Sequence, residues 1–103
     1  MTLNDLAVLD RDQKRTEAAR KGFEEALKIR REAVQKNPDT YLPDVAQTLN
    51  DLAMLDSDQN RQESARKELD EALNIYERFA ERNPEQFQSD VARVKRQLQT
   101  LSK

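Results

Sequence analysis

Cysteine and histidine are both absent from the 103 residues, and glycine occurs once. Without cysteine there is no disulfide framework and no thiolate chemistry. Without either residue, and with no glycine-rich loop to cradle a phosphate, no nucleophile–base arrangement can be built. The chain is therefore read as a non-enzyme with no cofactor and no metal. One glycine and three prolines are too few turn formers for an all-β chain. Aromatic residues are only 5% of the total, so the core must be aliphatic. No apolar run approaches the ~20 residues of a membrane span, and the N-terminus lacks the apolar stretch of a signal peptide. The net charge of −2 gives no general attraction to nucleic acid or to an anionic membrane. Absence of cysteine suits a reducing compartment, and a cytoplasmic location is expected.

What the chain does have is an internal return. Thr2-Leu3-Asn4-Asp5-Leu6-Ala7 reappears as Thr48-Leu49-Asn50-Asp51-Leu52-Ala53, 46 residues later. Asp10, Asp12 and Gln13 return as Asp56, Asp58 and Gln59, and Asn37-Pro38 returns as Asn83-Pro84. Ala19, Glu25-Ala26-Leu27 and Ile29 return as Ala65, Glu71-Ala72-Leu73 and Ile75. A fixed period of this size marks stacked supersecondary units. At this length a single domain is expected, hiding roughly two thirds of its unfolded surface.

Apolar spacing predicts five helices. The first covers 2–11 and leaves through the turn Asp12-Gln13-Lys14-Arg15. The second, Thr16 to Lys36, carries pairs such as Ala18/Ala19, Gly22/Phe23 and Ala26/Leu27, with Ile29 and Ala33/Val34 beyond. So wide a stripe suits a helix packed on two neighbours. Asn37-Pro38 ends it, because proline disfavours a helical residue before it. Asp39 to Leu42 reads as a connector, with Pro43 in the first turn of a third helix reaching about Asp56. The fourth helix spans Gln62 to Arg82. The fifth spans Gln86 to Leu101, with Val91, Val94, Leu98 and Leu101 inward.

The fifth helix aligns on the third, but Lys95 and Gln99 stand where Leu49 and Ala53 were. A terminal repeat needs a polar outer face to remain soluble, so this helix reads as a cap. The first helix has nothing matching Tyr41 to Ala46. The chain accordingly reads as two units and the cap of a longer array, with repeat one at 1–40, repeat two at 41–84 and the capping helix at 85–103. Leu3, Leu6 and the sides of Phe23 and Leu27 would then face water or another copy. A homodimer through this N-terminal face is expected, formed by two-fold packing or by exchange of helices across the 37–43 connector.

These residues resemble the tetratricopeptide (TPR) repeat. Leu3, Leu6 and Ala7, then Leu49, Leu52 and Ala53, fit the pattern of its first helix. Ala19, Phe23 and Ala26, then Ala65, Leu69 and Ala72, fit its second. The phrasing is most similar to the long-repeat variant of kinesin light chains and nephrocystin-like bacterial TPR proteins. Three departures stand out: Asp10 and Asp56 replace the family's aromatic residue, Leu69 replaces the aromatic seen at Phe23, and the period is 46 rather than 34. The resemblance implies an all-α solenoid of two antiparallel helix pairs plus a C-terminal capping helix. It also implies a protein–protein interaction module that binds a peptide or partner helix in a concave groove lined by the first helices. The implied groove residues are Asn4, Val8 and Arg11, then Asn50, Met54 and Ser57, then Arg96 and Thr100 on the cap. An asparagine side chain both donates and accepts, so it can pair with an extended backbone whatever its sequence. The lysine–asparagine clamp by which some members hold a C-terminal carboxylate has no match, since Asn4 and Val8 stand there. The alternative is a structural spacer or a self-associating repeat fragment with no peptide ligand.

Two further patterns point to nothing stronger. Asp56-Ser57-Asp58-Gln59-Asn60 opens like a calcium-binding EF-hand loop, but Arg61 and Lys67 occupy the positions that need Gly and Glu. Turn and capping chemistry is the expectation there. Arg93, Lys95 and Arg96 form a basic cluster without interleaved aromatics, which reads as a solvated cap face rather than a nucleic-acid site.

Overall fold

The computed structural model describes residues 1–101. They form α1 (Leu3–Asp12), α2 (Thr16–Val34), α3 (Pro38–Asp58), α4 (Gln62–Arg82) and α5 (Pro84–Leu101). Among the described residues there is no strand. Each helix packs on the next in sequence, so the chain is an α-solenoid of two antiparallel helix pairs, α1/α2 and α3/α4, with α5 capping α4.

The helix ends follow from local chemistry. Thr2 starts α1 with a capping box: its hydroxyl accepts from the Asp5 amide at 3.0 Å, and the Asp5 carboxylate accepts from the Thr2 amide. Both hairpin turns end their first helix in a Schellman motif. In the first, the Lys14 amide donates to the Arg11 carbonyl and the Arg15 amide to the Asp10 carbonyl. In the second, Asn60 donates to Ser57 and Arg61 to Asp56. The motif needs one left-handed residue, and Lys14 and Asn60 both sit at φ 61°.

The inter-repeat joint differs from the expectation. Asn37-Pro38 begins a helix as well as following one. Asn37 caps α3 through its side-chain oxygen, which accepts from the Thr40 amide at 3.2 Å, and Pro38 occupies the first turn. A proline there loses only an N–H that would have gone unpaired. The residues expected as a connector, Asp39 to Leu42, are thus helical, and Pro43 lies inside α3. The joint between α4 and α5 repeats the arrangement: the Gln86 amide donates to the Asn83 side chain, ahead of Pro84.

Two apolar clusters hold the helices. Ala7, Ala19, Phe23, Leu52 and Leu55 join α1, α2 and α3. Val45, Leu49, Leu69, Ile75, Tyr76, Phe79, Phe87 and Val94 are the larger members of the cluster joining α3, α4 and α5. Phe87, not among the residues expected inside α5, meets Phe79 edge-on at 5.5 Å between ring centres. Gly22 makes the close approach in the first pair: a Cβ there would lie 2.8 Å from the Ala7 Cβ.

Position 68 is the repeat equivalent of Gly22, and there Glu68 reaches toward Asp56. Asp56 fills the place of the family's aromatic residue and is buried to 1% exposure. It survives burial because Arg20 donates to its carboxylate at 2.5 Å and to Gln59 at 2.9 Å. The Arg20–Asp56 pair ties α2 to the end of α3.

The exposed face of α1 differs in one respect from expectation. Leu3, Leu6 and Leu9 are 38%, 45% and 42% exposed, whereas their repeat equivalents Leu49, Leu52 and Leu55 are 2%, 5% and 2% exposed. Phe23, expected at that face, is instead buried against α1 and α3. Ile29 is the α2 residue left outside, and Leu27 packs toward the second cluster.

Candidate functional site: the inner face of α1, α3 and α5

The first helices of the pairs and the cap share one side of the molecule, where their polar residues meet across repeats. Asn4 Nδ2 on α1 donates to Asp51 Oδ2 on α3 at 3.0 Å. Two turns further along, Arg11 Nε donates to Asp58 Oδ2 at 3.1 Å. Both contacts join residues 47 apart. An inner-face side chain on one helix therefore reaches the position one residue beyond its own repeat equivalent on the next.

Two adjoining hollows open on this face, and Met54 lines both. The smaller, about 180 Å³, lies among Arg11, Met54, Ser57, Gln97 and Thr100 with Ala53 and Leu69 behind. The larger, about 460 Å³, lies between α3 and α5, with Asn50, Met54, Tyr76 and Phe87 among its lining residues. Asp44, Asp51 and Asp90 bring three carboxylates to it against the guanidinium of Arg93. Arg93 Nη2 pairs with Asp90 at 2.9 Å. Burial pushes the Asp51 carboxyl above its ordinary value, and the Asn4 hydrogen bond and nearby guanidiniums offset only part of that. Burial, with the Asp90 charge, pushes the Tyr76 phenol up to about 12.

The groove residues expected from sequence divide into three groups. Arg11, Met54 and Ser57 line the smaller hollow together with Thr100, and Asn50 and Met54 line the larger. Asn4 lines neither of these two; it is buried and turned onto Asp51. Val8 is half-buried against the Ala7–Phe23 cluster. Arg96 is exposed and lines neither hollow. The offset explains Arg96. It is the equivalent of Asn4 and Asn50, whose side chains lean toward the following inner helix, and no such helix follows α5 among the described residues. The cap instead brings Arg93, Gln97 and Thr100 to the hollows. Asp44, Asp51, Asp90 and Gln97 are not among the groove residues expected from sequence, and Arg93, expected on a solvated cap face, is half-buried and paired with Asp90, although 90, 93, 97 and 100 keep the 3–4 spacing of one helix face.

Asn50 and Gln97 are the repeat equivalents of the bonded pair Asn4 and Asp51. Asn50 Oδ1 and Gln97 Oε1 are both buried with no hydrogen-bond partner in the chain, as is Asn4 Oδ1 beside its bonded Nδ2. Such acceptors are uncommon in folded proteins.

The segment that begins like a calcium loop does structural work. Asp56 is held by Arg20, Asp58 by Arg11, and Asn60 is the left-handed residue of the turn. Among the described residues, no group of three or more potential ligands is placed to hold a metal ion. No helix among them is long and apolar enough to cross a membrane.

Among curated proteins none matches the chain. A family model described as Tetratricopeptide repeat matches residues 1–78, which covers α1, α2, α3 and most of α4. With helix pairs, small-residue contacts and an inner face of the kind that repeat builds, the chain belongs to the tetratricopeptide repeat family, whose repeats mediate protein–protein interactions.

Proposed function

We propose that the chain binds a peptide segment of a partner protein along the inner face of α1, α3 and α5. The observation that carries the reading is the pair of adjoining hollows at Met54, beside which Asn50 and Gln97 keep buried oxygens without partners. An extended segment offers side chains at regular intervals that can enter both hollows, and backbone groups for the polar residues that line them. The 46-residue spacing favours the long-repeat form similar to kinesin light chains and nephrocystin-like bacterial proteins. Selection of a displayed random-peptide library on the purified chain tests the reading. Recovery of peptides whose binding is lost in Met54→Glu, but kept in Ile29→Glu on the outer side, supports it. Recovery of none, or of peptides indifferent to Met54, contradicts it.

A second reading concerns the outer side, where Leu3, Leu6 and Leu9 stand exposed although their equivalents in the next repeat are buried. A second copy of this chain is the occupant proposed. A two-fold axis would set one leucine row on the other, so each face supplies the apolar surface its mate lacks. Light scattering across a concentration series decides it. A mass rising toward twice the monomer, abolished by Leu6→Asp, supports the dimer; a constant monomer mass at high micromolar concentration refutes it.

A further inference from the structure

Resting on the groove reading, we propose that the larger hollow between α3 and α5 holds a basic side chain of the partner segment, arginine in preference to lysine. Three independent features converge on this chemistry. The first is charge: Asp44, Asp51 and Asp90 line the hollow against one guanidinium, Arg93, already paired with Asp90 at 2.9 Å. The second is hydrogen-bonding balance. Asn50 is only 3% exposed, lines the same hollow, and keeps an oxygen that nothing in the chain donates to. That oxygen is buried as the chain stands; a turn of the Asn50 amide would present it to a ligand with several donors and no acceptor, which describes a guanidinium. The third is shape. Tyr76 and Phe87, with ring centres 6.4 Å apart, also line the hollow. Both rings are largely buried and give the hollow a limited apolar wall, on which the flat guanidinium of arginine packs better than the compact ammonium of lysine. The same chain already shows this contact, with the Arg82 guanidinium carbon 4.9 Å from the Phe79 ring centre.

In the neighbouring repeat Asn4 Nδ2 bonds to Asp51, although Asn4 Oδ1 is itself without a partner; the equivalents Asn50 and Gln97 make no bond to each other, and each keeps a bare oxygen. Arg93, Asp90 and Tyr76 form a linked group at the α5 side, so an incoming cation would meet Asp44 and Asp51 on the α3 side first. A volume of about 460 Å³ leaves room for a side chain of arginine length without moving either helix.

The test compares peptide libraries selected on the wild-type chain, on Asp44→Asn and on Asp51→Asn, each first checked for a wild-type helical spectrum. Arginine should be enriched at one fixed position on the wild type. A synthetic peptide from that pool should bind about tenfold more weakly to Asp44→Asn. Exchange of its arginine for citrulline, which keeps the shape and removes the charge, should cost the wild type as much. Should Asp51→Asn fail to fold, Asp44→Asn carries the test alone. Peptides that bind through Met54 but show no basic enrichment, or an acidic one, overturn this proposal and leave the groove reading standing. So does an arginine whose contribution is unchanged in Asp44→Asn. Recovery of no peptide at all overturns both.

Discussion

The side-chain amide of Asn4 donates to the carboxylate of Asp51 at 3.0 Å, joining the inner helices of two successive repeats. Asp51 is the residue that follows Asn50, the repeat equivalent of Asn4. The same hexapeptide thus supplies both ends of the contact, one end from each copy. Its energetic consequence is asymmetric. Asn4→Ala strips a donor from a buried carboxylate and should cost about 1–3 kcal/mol. Asn50→Ala, at the equivalent site, breaks no bond of this kind and should cost less: both asparagines carry an unpartnered oxygen, and the difference is the bond that Asn4 donates to Asp51. Thermal melts of the two variants give the comparison; equal losses would show that the Asn4–Asp51 bond contributes nothing particular.

The Glu68 carboxyl is pushed up to about 9, first by burial and then by the hydrogen bond and charge of Asp56. A carboxyl whose folded value lies above its ordinary 4.5 favours the folded chain fully below that point, and loses this contribution as pH rises toward 9. Asp51, also raised, acts in the same direction. Stability should therefore decline on the alkaline side. Glu68→Gln, neutral at every pH, should flatten that decline and add on the order of 1 kcal/mol at pH 8. Denaturant melts from pH 5 to 9 measure it, and a wild-type curve parallel to that of the variant would contradict the assignment.

Lys14 holds φ 61° in a turn where glycine is the usual choice. A side chain in that region costs roughly 1 kcal/mol. Lys14→Gly should raise stability by about that amount, and Asn60→Gly by less, since asparagine tolerates the conformation. A lower melting temperature for Lys14→Gly would mean that the side chain makes a contact outweighing the strain.

Gly22 lies against Ala7 with no room for a methyl group. Gly22→Ala should cost about 1–3 kcal/mol by overpacking, despite the better helix propensity of alanine. Adding Ala7→Gly should recover part of the loss. Absence of any recovery in the double variant would place the damage elsewhere.

The repeat carried most of the fold. Once residues 2–7 are seen again at 48–53, the helix pairs and the polar cap follow from period and spacing. The joint at residues 37–43 was misread because two prolines compete for the role of first-turn residue. Pro38 wins, since Asn37 caps it through its side-chain oxygen, and Pro43 is left inside the helix. Phe23 was misassigned to the outer face because α2 shows apolar residues on two sides, and periodicity alone does not say which side α3 will cover. The site was less legible. Sequence alignment gives repeat equivalents, which led to Arg96, but inner-face contacts run to the neighbour of the equivalent residue. That one-position shift comes from how a helical side chain leans along its axis, and it leads from Asn50 to Gln97 instead. The orphaned oxygens of Asn50 and Gln97 belong to packing and have no sequence signal.

The most direct test of the inner face as the binding surface is an amide NMR titration of the whole chain with a peptide selected on it. Shifts concentrated at Asn50, Met54, Ser57, Arg93 and Gln97, including the side-chain amide of Asn50, are the predicted result. Shifts centred on Leu3, Leu6, Leu9 and Ile29, with the inner face unmoved, would contradict it and assign recognition to the outer face of α1 and α2.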